Sequence, residues 1–247
     1  IAGSTLTLNP SADLESSTDY YIQVAATAID DAAGNSFAGI VDNSTLNFTS
    51  ADVAAPTVTS VSVPSAGSYV TGNTLGFTVN TSENVTVTGT PQIALTIGSA
   101  VRQAVYASGS GSSALVFSYT VQASDNDTDG VAVGALSLNS GTLKDSAGND
   151  MTLTLNSVGA TSEVRVDTTA PTFASSTPAD GAVSVAVASN IALTFSENIV
   201  AGTGNVTLFK ADGTSVQAFD IAALPSGSSI AGSTLTLNPS ADLESST

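Results

Sequence analysis

The sequence contains no cysteine, no histidine and no tryptophan. Without cysteine there is no disulfide framework and no zinc–thiolate site. Without histidine the commonest general base and the commonest transition-metal ligand are both gone. Basic residues are nearly absent as well: four Lys and Arg stand against 21 Asp and Glu, a net charge of −17. Nucleic-acid binding needs a basic footprint to displace phosphate counterions, so nucleic acid is excluded as a partner. An anionic membrane surface is excluded on the same ground. No apolar run approaches the roughly 18 residues that a spanning helix needs, so no membrane insertion is expected in this segment.

What is present is a chain rich in Gly, Ser, Thr, Val and Ala, with 42% hydrophobic residues, enough for a packed core. Carboxylates at this density repel one another unless something neutralises them, and divalent cations are the obvious candidates.

Repeats set the organisation. Residues 230–247 are identical to residues 1–18 (IAGSTLTLNPSADLESST), so the period is 229 residues. Such identity reads as recent duplication, and the chain as a window on a longer repetitive polymer. A divergent repeat lies inside the period. Residues 52–57 (DVAAPT) match 167–172 (DTTAPT), residues 82–84 (SEN) recur at 196–198, and residues 145–149 (DSAGN) match 31–35 (DAAGN). The spacings agree: Glu83 follows Asp52 by 31 residues, and Glu197 follows Asp167 by 30. The period therefore reads as two domains of one template, about 115 residues each. Residues 1–51 are expected to be the C-terminal part of a type A domain, 52–166 a complete type B domain, and 167–247 the N-terminal part of the next type A domain.

Short β segments separated by turn residues are predicted at 57–63, 74–80, 92–97, 101–107, 114–121, 134–138 and 151–156. Alternation is clearest in LVFSY (115–119) and MTLTL (151–155). About seven strands in this length predicts an all-β fold of tandem immunoglobulin-like sandwiches. Tyr20 or Tyr21, opening the sixth strand of type A, fits a corner tyrosine whose hydroxyl reaches back to the preceding turn; the alternative is an ordinary strand aromatic.

The motifs of type A (DTTAPT, PADG, LTFSENI, LNPSADLESSTDYYIQV, DDAAGN) resemble the bacterial Ig-like repeat named after a cyanobacterial swimming-motility surface protein. Those of type B (APTVTSVSV, SENVTV, FSYTVQASDNDTDG, KDSAGND) are similar to repeats of calcium-dependent giant adhesins exported by type I secretion. The resemblance covers the whole chain. It implies a calcium-stiffened extender on the bacterial cell surface, holding an adhesive domain away from the cell. No adhesive tip and no secretion signal are recognisable in these residues.

Topology converts the motifs into candidate ligands. With antiparallel neighbours, Asp52 lies at the leading pole, Glu83 in the loop after the second strand, and Asp145 and Asn149 in the loop before the last. All converge on one end of the domain. Hard oxygen ligands of this kind suit Ca²⁺. Asp31 and Asn35 are the type A counterparts. Residues 125–130 (DNDTDG) bring alternate carboxylates Asp125, Asp127 and Asp129 into a Gly-closed loop, although Leu136 stands where an EF-hand has its bidentate Glu. That loop is expected at the far pole, beside Asp167 and Glu197 of the next domain. The competing reading makes the DxAGN aspartates Asx-turns and the SEN glutamates solvated. Sequons at Asn43, Asn47, Asn80, Asn84 and Asn205 are what a Ser/Thr-rich sequence produces by chance.

No base, cleft or sugar platform accompanies the carboxylates, so no enzyme is expected. The expected function is a structural spacer whose partners are neighbouring repeats, with Pro56 and Pro171 stiffening the junctions. The alternatives are a module binding carbohydrate, ice or a cell-surface ligand, and self-association of copies into a filament or matrix through strand edges.

Overall fold

A computed structural model describes residues 3–242; the outer ends of the 18-residue repeat, 1–2 and 243–247, lie outside the described residues. The chain divides into two compact units, Ile1–Thr168 and Thr169–Thr247. Both are built from β-strands in several sheets, the fold class that the alternation predicts; among the described residues one 3-10 turn, Ile221–Ala223, is the exception.

In the first unit, residues 19–49 form a small layer. β1 (Asp19–Tyr21) pairs antiparallel with β2 (Asn47–Thr49). Bridges Val24↔Ile40 and Asp30↔Ser36 close a hairpin over the DAAGN turn. The Tyr20 hydroxyl accepts the Glu15 backbone N–H at 2.8 Å, five residues upstream, which is the corner geometry, and its ring stacks on Phe48 at 5.8 Å. This layer keeps much apolar surface open, including Tyr21, Phe37, Leu46 and Phe48.

The core of this unit lies between residues 58 and 166. Its strands are β3 (Val58–Ser62), β4 (Gly67–Tyr69), β5 (Thr74–Thr88), β6 (Gln92–Ile97), β7 (Ala100–Ser108), β8 (Ser112–Thr120), β9 (Ala132–Ser137), β10 (Thr142–Lys144) and β11 (Val164–Val166). The order is β10-β5-β8-β7-β6-β9 with β3 on β5, and β11 runs parallel to β4. Alternation places Leu75, Phe77 and Val79 of β5 opposite Tyr119, Phe117 and Leu115 of β8. Ile93, Leu95 and Ile97 of β6 complete the interior, every other residue pointing inward. Burying a side chain of this size contributes about 1.5–3 kcal/mol. Gly98 turns the chain from β6 to β7 at φ +57°, and a Cβ there would lie 2.3 Å from the Asn126 carbonyl, so only glycine fits.

Two expectations change. β5 is a single 15-residue strand and carries SEN within it. Between Asn80↔Ala114 and Val85↔Ser112 it advances five residues against two on β8, so residues 82–84 form a bulge inside the strand, not a loop after it. Residues 151–156 join no sheet. Met151 and Thr152 donate to Leu143 and Pro56, and the segment runs beside β3 to the parallel bridge Val61↔Val158.

The second unit has β12 (Phe173–Thr177), β13 (Ile191–Phe195), β14 (Asn205–Phe209), β15 (Ser215–Asp220), β16 (Ser229–Ala231) and β17 (Thr234–Leu237). They form a sheet in the order β12-β13-β17-β16 and a separate hairpin β14-β15. Among the described residues its buried apolar side chains are Phe219, Leu235 and Leu237, against nineteen in the first unit's core.

Candidate metal centre

Three elements position the candidate site in the first unit. Asp52 sits on the segment leading into β3, Glu83 in the β5 bulge, and Asp145 in the tight turn after β10. Ligand oxygens of the three carboxylates lie within 4.8 Å of one another; among the described residues no other group of three or more acidic side chains meets in this way.

The bulge aims Glu83. Thr81 Oγ1 donates to the Glu83 carbonyl at 2.6 Å and fixes the backbone. Among the described residues no donor reaches the Glu83 carboxylate. Burial first, and then the charges of Asp52 and Asp145, hold its proton more tightly than an ordinary glutamate's.

Asp145 is set by its own turn. Asn149 donates its backbone N–H to Oδ1 at 2.8 Å and its amide to Oδ2 at 2.7 Å, while Gly148 adopts φ +98°. Burial alone would raise the Asp145 carboxyl; the Asn149 amide and the backbone N–H groups outweigh it and hold the carboxyl below the usual range. The same Asn149 amide donates to the Asp52 and Ala54 carbonyls at 3.3 Å, tying the incoming segment to the turn. Asp52 Oδ1 accepts from Ser16 Oγ at 3.0 Å and from the Ala54 N–H at 3.0 Å. Ser16 is a contact that no motif pointed to, because its partner lies 36 residues away.

The DAAGN copy has the same geometry. Asn35 donates its backbone N–H and its amide to Asp31 at 2.8 Å each, and Gly34 adopts φ +89°. The Asn35 amide foremost, then its N–H, keeps the exposed Asp31 carboxyl below its ordinary value. Both DxAGN segments are thus Asx-turns; Asp145 also faces two more carboxylates.

Residues 125–129 are arranged differently from the expected converging loop. Asp125 is fully buried and accepts from Arg102 Nε at 2.7 Å, the Tyr119 hydroxyl at 2.5 Å and the Gln122 N–H at 2.8 Å. Burial and the Asp125 contact push the Tyr119 phenol up to about 12. Asp127 accepts from the N–H groups of Gly98, Asp129 and Gly130, so its oxygens close the β6–β7 turn and its own loop. Asp129 is exposed. These carboxylates serve the fold, and their partners Arg102 and Gly98 lie too far upstream for the DxDxDG spacing to reveal them. Asp167 donates its backbone N–H to the Tyr69 carbonyl. In the second unit, Glu197 follows β13, and its buried Oε1 has no hydrogen-bond partner among the described residues.

Among the described residues no helix is long and apolar enough to cross a membrane. No curated protein matches the chain. A family model, described as the bacterial Ig-like domain, matches residues 1–50 and 167–247, just over half of the sequence, and the chain belongs to that family.

Proposed function

We propose that the chain is a segment of an extracellular bacterial stalk, in which tandem Ig-like domains act as a spacer and Ca²⁺ stiffens the approach to residues 52–166. The observation that carries this reading is the meeting of Asp52, Glu83 and Asp145, with no protein donor at Glu83 to offset the repulsion. Oxygen ligands of one Ca²⁺ stand about 2.3–2.6 Å from it and hence no more than about 5 Å from each other, a spacing that the three carboxylates meet. Asp52 lies on the incoming segment and bonds Ser16, whereas Glu83 and Asp145 belong to the following sandwich. An ion here would tie one to the other. Family membership supports a structural module at the cell surface. Asp125 and Asp127 do not enter the proposal, because Arg102 and backbone donors already occupy them.

The reading assigns the chain no reaction. The test is thermal unfolding of the chain in chelator and in millimolar Ca²⁺, since a ligand bound only by the folded state stabilises it by mass action. Ca²⁺ should raise Tm and Mg²⁺ should do so poorly, because it demands a tighter octahedral shell. Equal Tm values with Ca²⁺ and with chelator would defeat the cation part of the proposal.

A further inference from the structure

We propose that β4 and the 123–131 loop clasp the exit strand β11, so that the 52–166 domain bears tension along the chain as well as adding length. The inference rests on the stalk reading but not on its cation. It gives a role to the DNDTDG motif, which the cation does not use.

A pull along the chain enters this domain through the segment before β3 and leaves it after β11. The entering and leaving segments run parallel at two places. Beside β3, the Val61 N–H donates to the Ser157 carbonyl at 3.2 Å, and the Gly159 N–H to the Val61 carbonyl at 2.9 Å. Beside β4, the Gly67 N–H donates to the Glu163 carbonyl at 2.8 Å, and the Asp167 N–H to the Tyr69 carbonyl at 2.9 Å. Strands paired in parallel and drawn from opposite ends must slide past one another, so their hydrogen bonds resist together. Two strands drawn apart across a single rung lose their bonds one at a time.

β11 is gripped on its other edge as well. The Val131 N–H donates to the Val164 carbonyl at 3.0 Å, and Asp127 and Val166 exchange both backbone bonds, at 2.7 and 2.9 Å. Val164 and Val166 are buried in the core. Just past the strand the chain is latched again. The Thr168 N–H donates to Asn126 Oδ1 at 2.8 Å, and the Thr168 hydroxyl donates to the Ala123 and Asp125 carbonyls, 2.9 Å from each. The loop that supplies these acceptors is itself anchored. Arg102 of β7 and Tyr119 of β8 hold Asp125, and the Gly98 N–H at the β6–β7 turn holds Asp127. Load on Thr168 therefore passes through the loop to the central strands, and the buried Asp125 and Asp127 are the fasteners that let the loop carry it.

Single-molecule pulling of the chain by its two ends, in chelator, tests the clasp, because forced unfolding reports the unfolding rate and not equilibrium stability. The event to follow releases roughly 110 residues, on the order of 350 Å of extended chain. Thr168→Val removes the hydroxyl of the latch. Thr88→Val removes one hydroxyl of the Thr88–Thr142 pair, which touches neither β4 nor β11. At a given force Thr168→Val should unfold the domain on the order of fivefold faster than the parent, and Thr88→Val at the parental rate. The absence of cysteine allows handles to be placed elsewhere. Pulled through Val105→Cys and Ser118→Cys, which stand opposite one another on β7 and β8, the domain should yield at lower force than through its ends. A chain no stronger through its ends than across that rung overturns the proposal. So does a Thr168→Val domain that unfolds no faster than the parent or than Thr88→Val. Neither result bears on the Ca²⁺ melting test, which stands or falls separately.

Discussion

Arg102 Nε lies 2.7 Å from Asp125 Oδ1 and closes over a carboxylate that is itself fully buried. Removing the guanidinium leaves that charge uncompensated inside the protein. Breaking a fully buried pair costs about 3–5 kcal/mol; with the Arg102 side chain 30% open to solvent, Arg102→Ala is expected to cost about 2–4 kcal/mol. The loss should be the same in Ca²⁺ and in chelator, because the pair is structural. Urea unfolding in both buffers measures it, and a Ca²⁺-dependent loss would reassign Asp125 to a cation site.

Asp125 also shows where sequence reading stops. The DxDxDG spacing describes only the loop. Whether its oxygens face a cation or a guanidinium depends on Arg102 and Tyr119, which the sheet brings in from β7 and β8. Asp52, Glu83 and Asp145 were legible because all three recur in the repeat and antiparallel topology sends them to one pole. Alternation located the strands of the core but reports burial, not pairing. Residues 151–156 alternate between inward and outward side chains as a strand would, yet Thr152 donates to Pro56 outside any sheet. Nothing in the SEN motif signalled that β5 would continue through it, since a bulge shows only against its partner strand.

Gly98 and Gly76 should respond oppositely to alanine. Gly98 has φ +57° and the Asn126 carbonyl 2.3 Å from a would-be Cβ, and its N–H holds Asp127. Strain and displacement of that carbonyl should make Gly98→Ala destabilising by about 2–4 kcal/mol. Gly76, inside β5, has open space around its Cβ position, and Gly76→Ala should stabilise by about 0.5 kcal/mol. Chemical denaturation of the two variants checks both signs.

The corner formed by Tyr20 should be visible one amide at a time. Its hydroxyl is the acceptor for the Glu15 N–H. Tyr20→Phe keeps the ring on Phe48 and removes that acceptor, at a cost of about 1 kcal/mol. Hydrogen exchange at Glu15 should accelerate severalfold, with amides of the β5–β8 ladder unchanged. An unchanged rate at Glu15 would show that the corner bond does not protect it.

Glu83 should give the cation-free protein an inverted pH dependence. Its carboxyl binds a proton more tightly in the folded state than in the unfolded chain, through burial and the charges of Asp52 and Asp145. The sign follows from linkage: a raised carboxyl pKa contributes stability that is present below the unfolded value and lost as pH rises through the folded value. In chelator, therefore, Glu83 lowers stability as pH climbs from the ordinary glutamate range toward neutrality. Glu83→Gln removes the ionisation and should raise Tm at pH 7 in chelator while changing little at pH 4. Added Ca²⁺ should reverse the order, stabilising the native chain more than the variant, because the ion needs the charge that burdens the free site. Melting curves of both proteins at pH 4 and 7, with chelator and with Ca²⁺, separate the two effects. A variant no more stable than the parent at pH 7 in chelator would mean that the carboxylates do not repel. A variant that keeps the full Ca²⁺ response would place the ion elsewhere.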